Sequence, residues 1–116
     1  MPSLLLVDDD LALLHALSRF LSDSGYAVVA CNTFEEAKQQ IADGHPDILV
    51  TDVRLGAFNG LQLALLARDV RPDVRVVVFS GFDDPVLKEE ARRAGATFLV
   101  KPVSGHTLVQ ELRAEV

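Results

Sequence analysis

Residues 4–10 read LLLVDDD. Four apolar residues run straight into three carboxylates. A short, continuous apolar run bounded by polar residues fits a buried parallel strand, covered on both faces. Crowding acids at its end is costly. Two carboxylates about 4 Å apart repel by roughly 4 kcal/mol at a surface-like dielectric. The question is what positive species the cluster meets.

The same kind of run returns four times: YAVVAC (26–31), DILVT (47–51), VRVVVF (74–79) and TFLV (97–100). Between these runs the apolar spacing is helical. LALLHALSRFLSDSG sets Leu14, Leu17 and Leu21 on one face and stops at Gly25. TFEEAKQQIADG opens with Thr33 and Glu36 in capping-box spacing and is expected to bury Phe34, Ala37 and Ile41. GLQLALLARDV carries Leu61, Ala64 and Leu65 as its apolar face. DDPVLKEEARRAG places an acid before Pro85, aligns Leu87 with Ala91 and ends at Gly95. The tail SGHTLVQELRAEV pairs Leu108 with Leu112. Five strands alternating with five helices predict an α/β parallel sheet with right-handed crossovers.

Bulk properties bound the function. The 116 residues fit one domain, 1–116, and no output domain is expected within it. Apolar residues make up 49%, enough for a real core. The formal net charge of -6 disfavours direct nucleic-acid contact, which needs Lys and Arg against phosphate. Cys31 is the one cysteine, so no internal disulfide forms. No apolar run approaches the roughly 18 residues of a membrane span. The N-terminus lacks the pattern of a signal peptide. A cytoplasmic domain without membrane contact is expected.

The residues just beyond the strands carry the chemistry. Asp8 and Asp9 come after the first, Asp52 after the third, Ser80 after the fourth and Lys101 after the fifth. Parallel strands put their carboxyl ends on one edge, where ligands of open α/β sheets bind. Four strand ends thus converge three acids, a hydroxyl and an amine.

These residues resemble a response-regulator receiver domain. The resemblance covers the whole chain and rests on VDDD (7–10), TDVRLGAFNG (51–60), VVVFSG (76–81) and FLVKP (98–102). It implies a flavodoxin-like, doubly wound five-stranded sheet of order 2-1-3-4-5. It implies a phosphoacceptor switch, taking a phosphoryl group from a histidine kinase or histidine phosphotransfer protein rather than turning over a substrate. By motif, Asp52 is the phosphoacceptor. Asp8, Asp9, Asp52 and the main-chain carbonyl of Arg54 would hold Mg²⁺, which prefers oxygen ligands and keeps several waters. Ser80 and Lys101 would contact the phosphoryl group, and Ser80 with Phe98 would form the switch. Phe98 is expected to turn inward even without phosphate, because an exposed ring is costly. The face made by the fourth helix, fifth strand and fifth helix would control a fused output domain or a second copy. The family also implies a cis Lys101–Pro102 bond. Crowding is expected to raise the pKa values of the acids through repulsion.

The chain departs from the family pattern in three places. Gly56 stands where a proline is usual, which predicts a more flexible loop over 56–60. Arg54 puts a long cation two residues after Asp52, and Phe82 puts a bulky apolar group two residues after Ser80. Both bear on how water reaches an acyl phosphate.

Plainer roles fit other residues. Asp10 reads as a helix cap. His15, His45 and His106 are scattered without ligand spacing, and Cys31 reads as a small buried hydrophobe. Lys88, Glu89, Glu90, Arg92 and Arg93 form a solvated helix face that could also meet a partner. An aspartyl-nucleophile phosphatase would want an acid where Arg54 stands. A flavin site would want Ser, Thr and Gly where the acids stand. A receiver that only docks partners would not need the full acid, hydroxyl and lysine set.

Overall fold

A computed structural model describes residues 1–114; Glu115 and Val116, which close the predicted tail segment, lie outside the described residues. The continuous apolar runs form β1 (Ser3–Val7), β2 (Ala27–Cys31), β3 (Ile48–Asp52), β6 (Arg75–Ser80) and β7 (Thr97–Val100). They pair in parallel in the order β2-β1-β3-β6-β7. This is the expected 2-1-3-4-5 order, once a two-stranded ribbon of β4 (Arg54–Leu55) and β5 (Phe58–Asn59) is set aside. The helices are α1 (Leu11–Asp23), α2 (Phe34–Gly44), α3 (Gly60–Val70), α4 (Pro85–Arg93) and α5 (Gly105–Arg113). None among the described residues is long and apolar enough to cross a membrane.

Strand side chains alternate between two apolar layers. Leu5, Val7, Leu49, Val76 and Val78 face the layer covered by α2, α3 and α4. Leu4, Leu6, Val50, Val77 and Phe79 face the layer covered by α1 and α5. Burying each such side chain contributes about 1.5–3 kcal/mol. At the far edge Val100 of β7 is exposed, and the larger departure is β2, where Ala27, Val29 and Ala30 are exposed. It lies at the sheet edge, so helices cover it only in part.

Local signals set the helix starts. The Asp10 carboxylate accepts the Leu13 N–H at 3.2 Å, and the Thr33 hydroxyl accepts the Glu36 N–H at 3.2 Å. Asp84 caps α4, whose first residue is Pro85. Gly25 and Gly95 come just after α1 and α4, with φ of 102° and 74°.

Two expectations need correction. Leu65 is 60% exposed rather than core. The buried stripe of α3 runs through Gly60, Leu63, Ala64 and Ala67, which turns Leu65 to the far side. Phe34 is only half-buried: it packs against the rim of the core and stacks on the exposed Phe58 ring, with centroids 4.6 Å apart. Residues 54–59 form the short ribbon, with Leu55 paired to Phe58 across Gly56 and Ala57, and Gly60 opens α3. Gly56 has φ of 62°, as the first position of a tight hairpin turn favours. Proline, fixed near −65°, could not adopt it.

Candidate functional site

The parallel register brings the ends of β1, β3, β6 and β7 side by side. Val7 pairs with Thr51, Asp52 with Phe79, and Ser80 with Val100. The residues that end or succeed these strands therefore share one edge of the sheet. Asp8 is fully buried, Asp52 is 6% exposed, and Asp9 is exposed. One carboxylate oxygen from each lies within 4.8 Å of the others.

Lys101 provides the cation inside this cluster. Its Nζ donates to Asp52 Oδ2 at 2.9 Å and lies 3.2 Å from Asp8 Oδ2. It also sits 5.3 Å from the centre of the buried Phe79 ring. Burial opposes the charge on Lys101. The hydrogen bonds and charges of Asp52 and Asp8 outweigh it, and its pKa is raised. The Lys101–Pro102 bond is cis, as expected.

Asp8 is the least satisfied member. Its Oδ1 accepts the Asp10 N–H at 2.8 Å. Among the described residues, its buried Oδ2 takes no well-directed hydrogen bond and has only the ion pair with Lys101. Burial raises the Asp8 pKa; the Asp10 amide and Lys101 pull it down, and Asp52 adds the smallest upward push. The expected direction holds for Asp8, but desolvation leads and repulsion comes last. An incompletely partnered buried carboxylate is costly. Beside two more acids, it makes oxygen donors of the kind that hard divalent cations such as Mg²⁺ prefer.

The strand ends also shape the mouth. Arg54 N–H donates to Asp52 Oδ1, and Phe82 N–H to Ser80 Oγ, both at 3.2 Å. The exposed side chains of these two residues then meet, with the guanidinium 5.7 Å from the Phe82 ring centre. Ser80 is buried, and its carbonyl accepts the Lys101 N–H at 2.7 Å. Phe98 is half-buried and packs against the layer shared with α3 and α4.

Three supporting residues emerge only in the folded chain. The buried Thr51 hydroxyl donates to the Asp52 carbonyl at 2.9 Å. Gly60 N–H donates to the Val53 carbonyl at 2.6 Å, and a Cβ at Gly60 would collide with the Asp52 carbonyl oxygen. Phe79 backs the lysine. A β-branched threonine and an aromatic are ordinary strand residues, so their types gave no signal. A glycine opening a helix carried a weak one.

Compared with known families, residues 4–113 match the model described as Response regulator receiver domain. The chain is 34% identical over 114 residues to the photosynthetic apparatus regulatory protein RegA of Rhodobacter capsulatus, covering 97% of this chain and 62% of that protein. It is 34% identical over 112 residues to the response regulator MprA of Mycobacterium leprae, covering 96% of this chain and 49% of that protein. The chain thus spans roughly half to three fifths of these relatives. Among solved structures it superposes on a CheY-like receiver domain protein from Methanospirillum hungatei with a TM-score of 0.91 at 25% identity, covering 97% of this chain and 91% of that one. It superposes on a Burkholderia pseudomallei response regulator carrying a phosphorylated aspartic acid and a calcium ion with a TM-score of 0.87 at 26% identity, covering 98% of this chain and 72% of that one.

Proposed function

This chain belongs to the response regulator receiver domain family, the phosphoacceptor signalling domains of two-component systems, and on that premise we propose that Asp52 is its phosphoacceptor. The observation that carries this reading is a nearly buried carboxylate at a strand end, held 2.9 Å from the Lys101 ammonium and grouped with Asp8 and Asp9. A carboxylate oxygen of Asp52 attacks phosphorus and forms an acyl phosphate. The P–N bond to the donor histidine breaks, and the imidazole nitrogen keeps the electron pair and takes up a proton. Lys101 faces the negative charge delivered to Asp52, and the Ser80 hydroxyl donates to a phosphoryl oxygen. Asp8, Asp9, Asp52 and the main-chain carbonyl of Arg54 would hold Mg²⁺. When bound, that ion neutralises charge between the carboxylates and the phosphoryl oxygens.

Arg54 and Phe82 narrow the approach of water and so lengthen the life of the acyl phosphate. The donor is a histidine kinase or a histidine phosphotransfer protein. Ser80 turning toward the new acceptor and Phe98 packing inward carry the change to the face of α4, β7 and α5. That face acts on a fused output domain or a second copy.

The test is phosphorylation with acetyl phosphate or a phosphohistidine donor in Mg²⁺, read by intact mass and by mapping the labelled peptide. Wild type should take one phosphoryl group on Asp52, and Asp52→Asn should take none. Equal labelling of Asp52→Asn, or no labelling of wild type, would overturn the reading.

A further inference from the structure

Among the described residues, Ala91 is the fully buried side chain of α4, and Leu87 is half-buried. The ion pairs of Glu89 with Arg92 and Arg93 lie within α4 and tie it to nothing else. The two ends of the helix are held differently. At its start, Asp84 accepts the Val86 and Leu87 N–H groups at 2.9 and 3.4 Å, which are also local bonds. Phe82 and Val86 beside them are 64% and 65% exposed. At its end, Arg68 reaches across from α3. Its Nε donates to the Ala94 carbonyl at 2.7 Å and its Nη2 to the Gly95 carbonyl at 2.6 Å. Its Nη1 donates at 3.2 Å to the Pro72 carbonyl, just beyond its own helix.

A guanidinium is a flat fork of five donors, suited to several carbonyls in a fixed plane. Here it meets the carbonyls of the cap residue Ala94 and of Gly95 just past the helix, at the negative end of the helix dipole. Gly95 fits the same device. Its φ is 74°, and a Cβ there would sit 2.5 Å from Arg68 Nη2. The turn is closed by Gly95 N–H on the Arg92 carbonyl at 3.0 Å and by Ala96 N–H on the Ala91 carbonyl at 2.8 Å.

We propose that Arg68 is the pivot of α4, a positioning residue that fixes the carboxyl end of the helix to α3. The response of α4 to events at Ser80 is then a swing of its amino end. A nine-residue helix is about 14 Å long, so a small rotation at Ala94 becomes a visible displacement at Pro85. This inference rests on the phosphoacceptor reading for the trigger, and not for the clamp.

The test is residue-resolved amide exchange and amide chemical shifts on the full chain for wild type, Arg68→Gln and Arg68→Lys, with and without beryllofluoride and Mg²⁺. Global stability is followed by urea unfolding. Without beryllofluoride, Arg68→Gln should speed exchange at Gly95 and Ala96 at least tenfold while leaving Leu49 and Val77 unchanged. Arg68→Lys, which keeps the charge but not the planar fork, should fall between. A general loss of stability would speed all four sites and overturn the proposal, as would wild-type exchange at Gly95 and Ala96 in Arg68→Gln. With beryllofluoride, wild-type shifts should change at Val86 to Lys88 and stay quiet at Gly95 and Ala96, and in Arg68→Gln both ends should respond. Equal responses at both ends of wild-type α4 also overturn it. If beryllofluoride moves nothing near Asp52 and Ser80, the phosphoacceptor reading is what fails, and the comparison without it decides the clamp.

Discussion

The two edges of this sheet treat their acids in opposite ways. At the amino edge, Asp47 is surrounded by donors. Its Oδ2 accepts the Ser3 N–H at 2.8 Å and the Ser3 hydroxyl at 3.2 Å, and its Oδ1 pairs with Arg71 at 2.7 Å. The Ser3 amide, chiefly, holds its pKa below the usual carboxylate range. At the carboxyl edge, Asp8 lies under more protein with fewer partners, and burial pushes its pKa up. The first acid stitches β1 to the start of β3. The second is left short of donors, a shortage that the cation and phosphoryl group of the proposed function would fill. Functional sites are where local consistency is broken.

The hardest strike at this contrast is Lys101→Met. Removing one preorganised charge partner of the transferred group should slow phosphoryl uptake by about 10²–10³-fold, roughly 2.7–4 kcal/mol. Stopped-flow transfer from a phosphodonor measures it, and a loss below tenfold would place the lysine outside the chemistry.

Asp8→Asn should move stability the other way. Without Mg²⁺ the variant should be more stable than wild type by about 1 kcal/mol, because an under-paired buried charge is gone. For a domain of this size that is roughly 4–8 °C in the unfolding midpoint. Millimolar Mg²⁺ should raise the wild-type midpoint, as any ligand bound only by the native state does, and raise that of Asp8→Asn less. A less stable metal-free variant breaks the contrast.

Asp47→Ala should destabilise by about 0.5–1 kcal/mol, the modest value of a partly exposed charge-assisted contact. Chemical denaturation would detect it, and a neutral result would leave the amino edge without its assigned role.

The pH profiles sharpen this further. The raised Asp8 group gives stability that is full below the ordinary carboxylate value near 4 and is lost as pH rises through its folded value. The lowered Asp47 group gives stability present above that ordinary value and lost as pH falls through its folded value. Asp8→Asn should therefore flatten the metal-free profile on the neutral side of about 4, and Asp47→Asn on the acid side. Matching slopes in the two variants would erase the distinction.

The smallest effect is expected at the mouth. A cation–π contact at an exposed site is worth about 0.5–1 kcal/mol, so Arg54→Ala should shorten the acyl-phosphate lifetime by no more than about fivefold. Dephosphorylation tracked by fluorescence or mass would show it, and a lengthened lifetime would reverse its assigned sense.

The fold was legible because its signals are local. Continuous apolar runs, caps at Asp10, Thr33 and Asp84, and glycine stops at Gly25 and Gly95 each declare an element within a few residues. The acids, Ser80 and Lys101 were legible by type and by their position after strands. The rest depends on contacts between distant segments. Leu65 carries an apolar side chain at helical spacing, but its outward direction is set by how α3 sits on the sheet. The stacking of Phe34 on Phe58 needs the β4–β5 ribbon to exist first. The roles of Thr51 and Phe79 are invisible until the register of β3 and β6 is known.

Gly60 shows how far a single methyl group can act. The first residue of α3 stands against the main chain of Asp52, and the space for a side chain is already taken by the Asp52 carbonyl oxygen. Gly60→Ala would leave every acid, the hydroxyl and the ammonium chemically intact, yet push the backbone of the proposed phosphoacceptor, Asp52, out of line with them. Such a lesion would pass for a missing catalytic group in an assay, although none had been removed. The position of the Asp52 carboxylate is thus kept partly by an absence, a wall that works because one residue in the chain has nothing to put there.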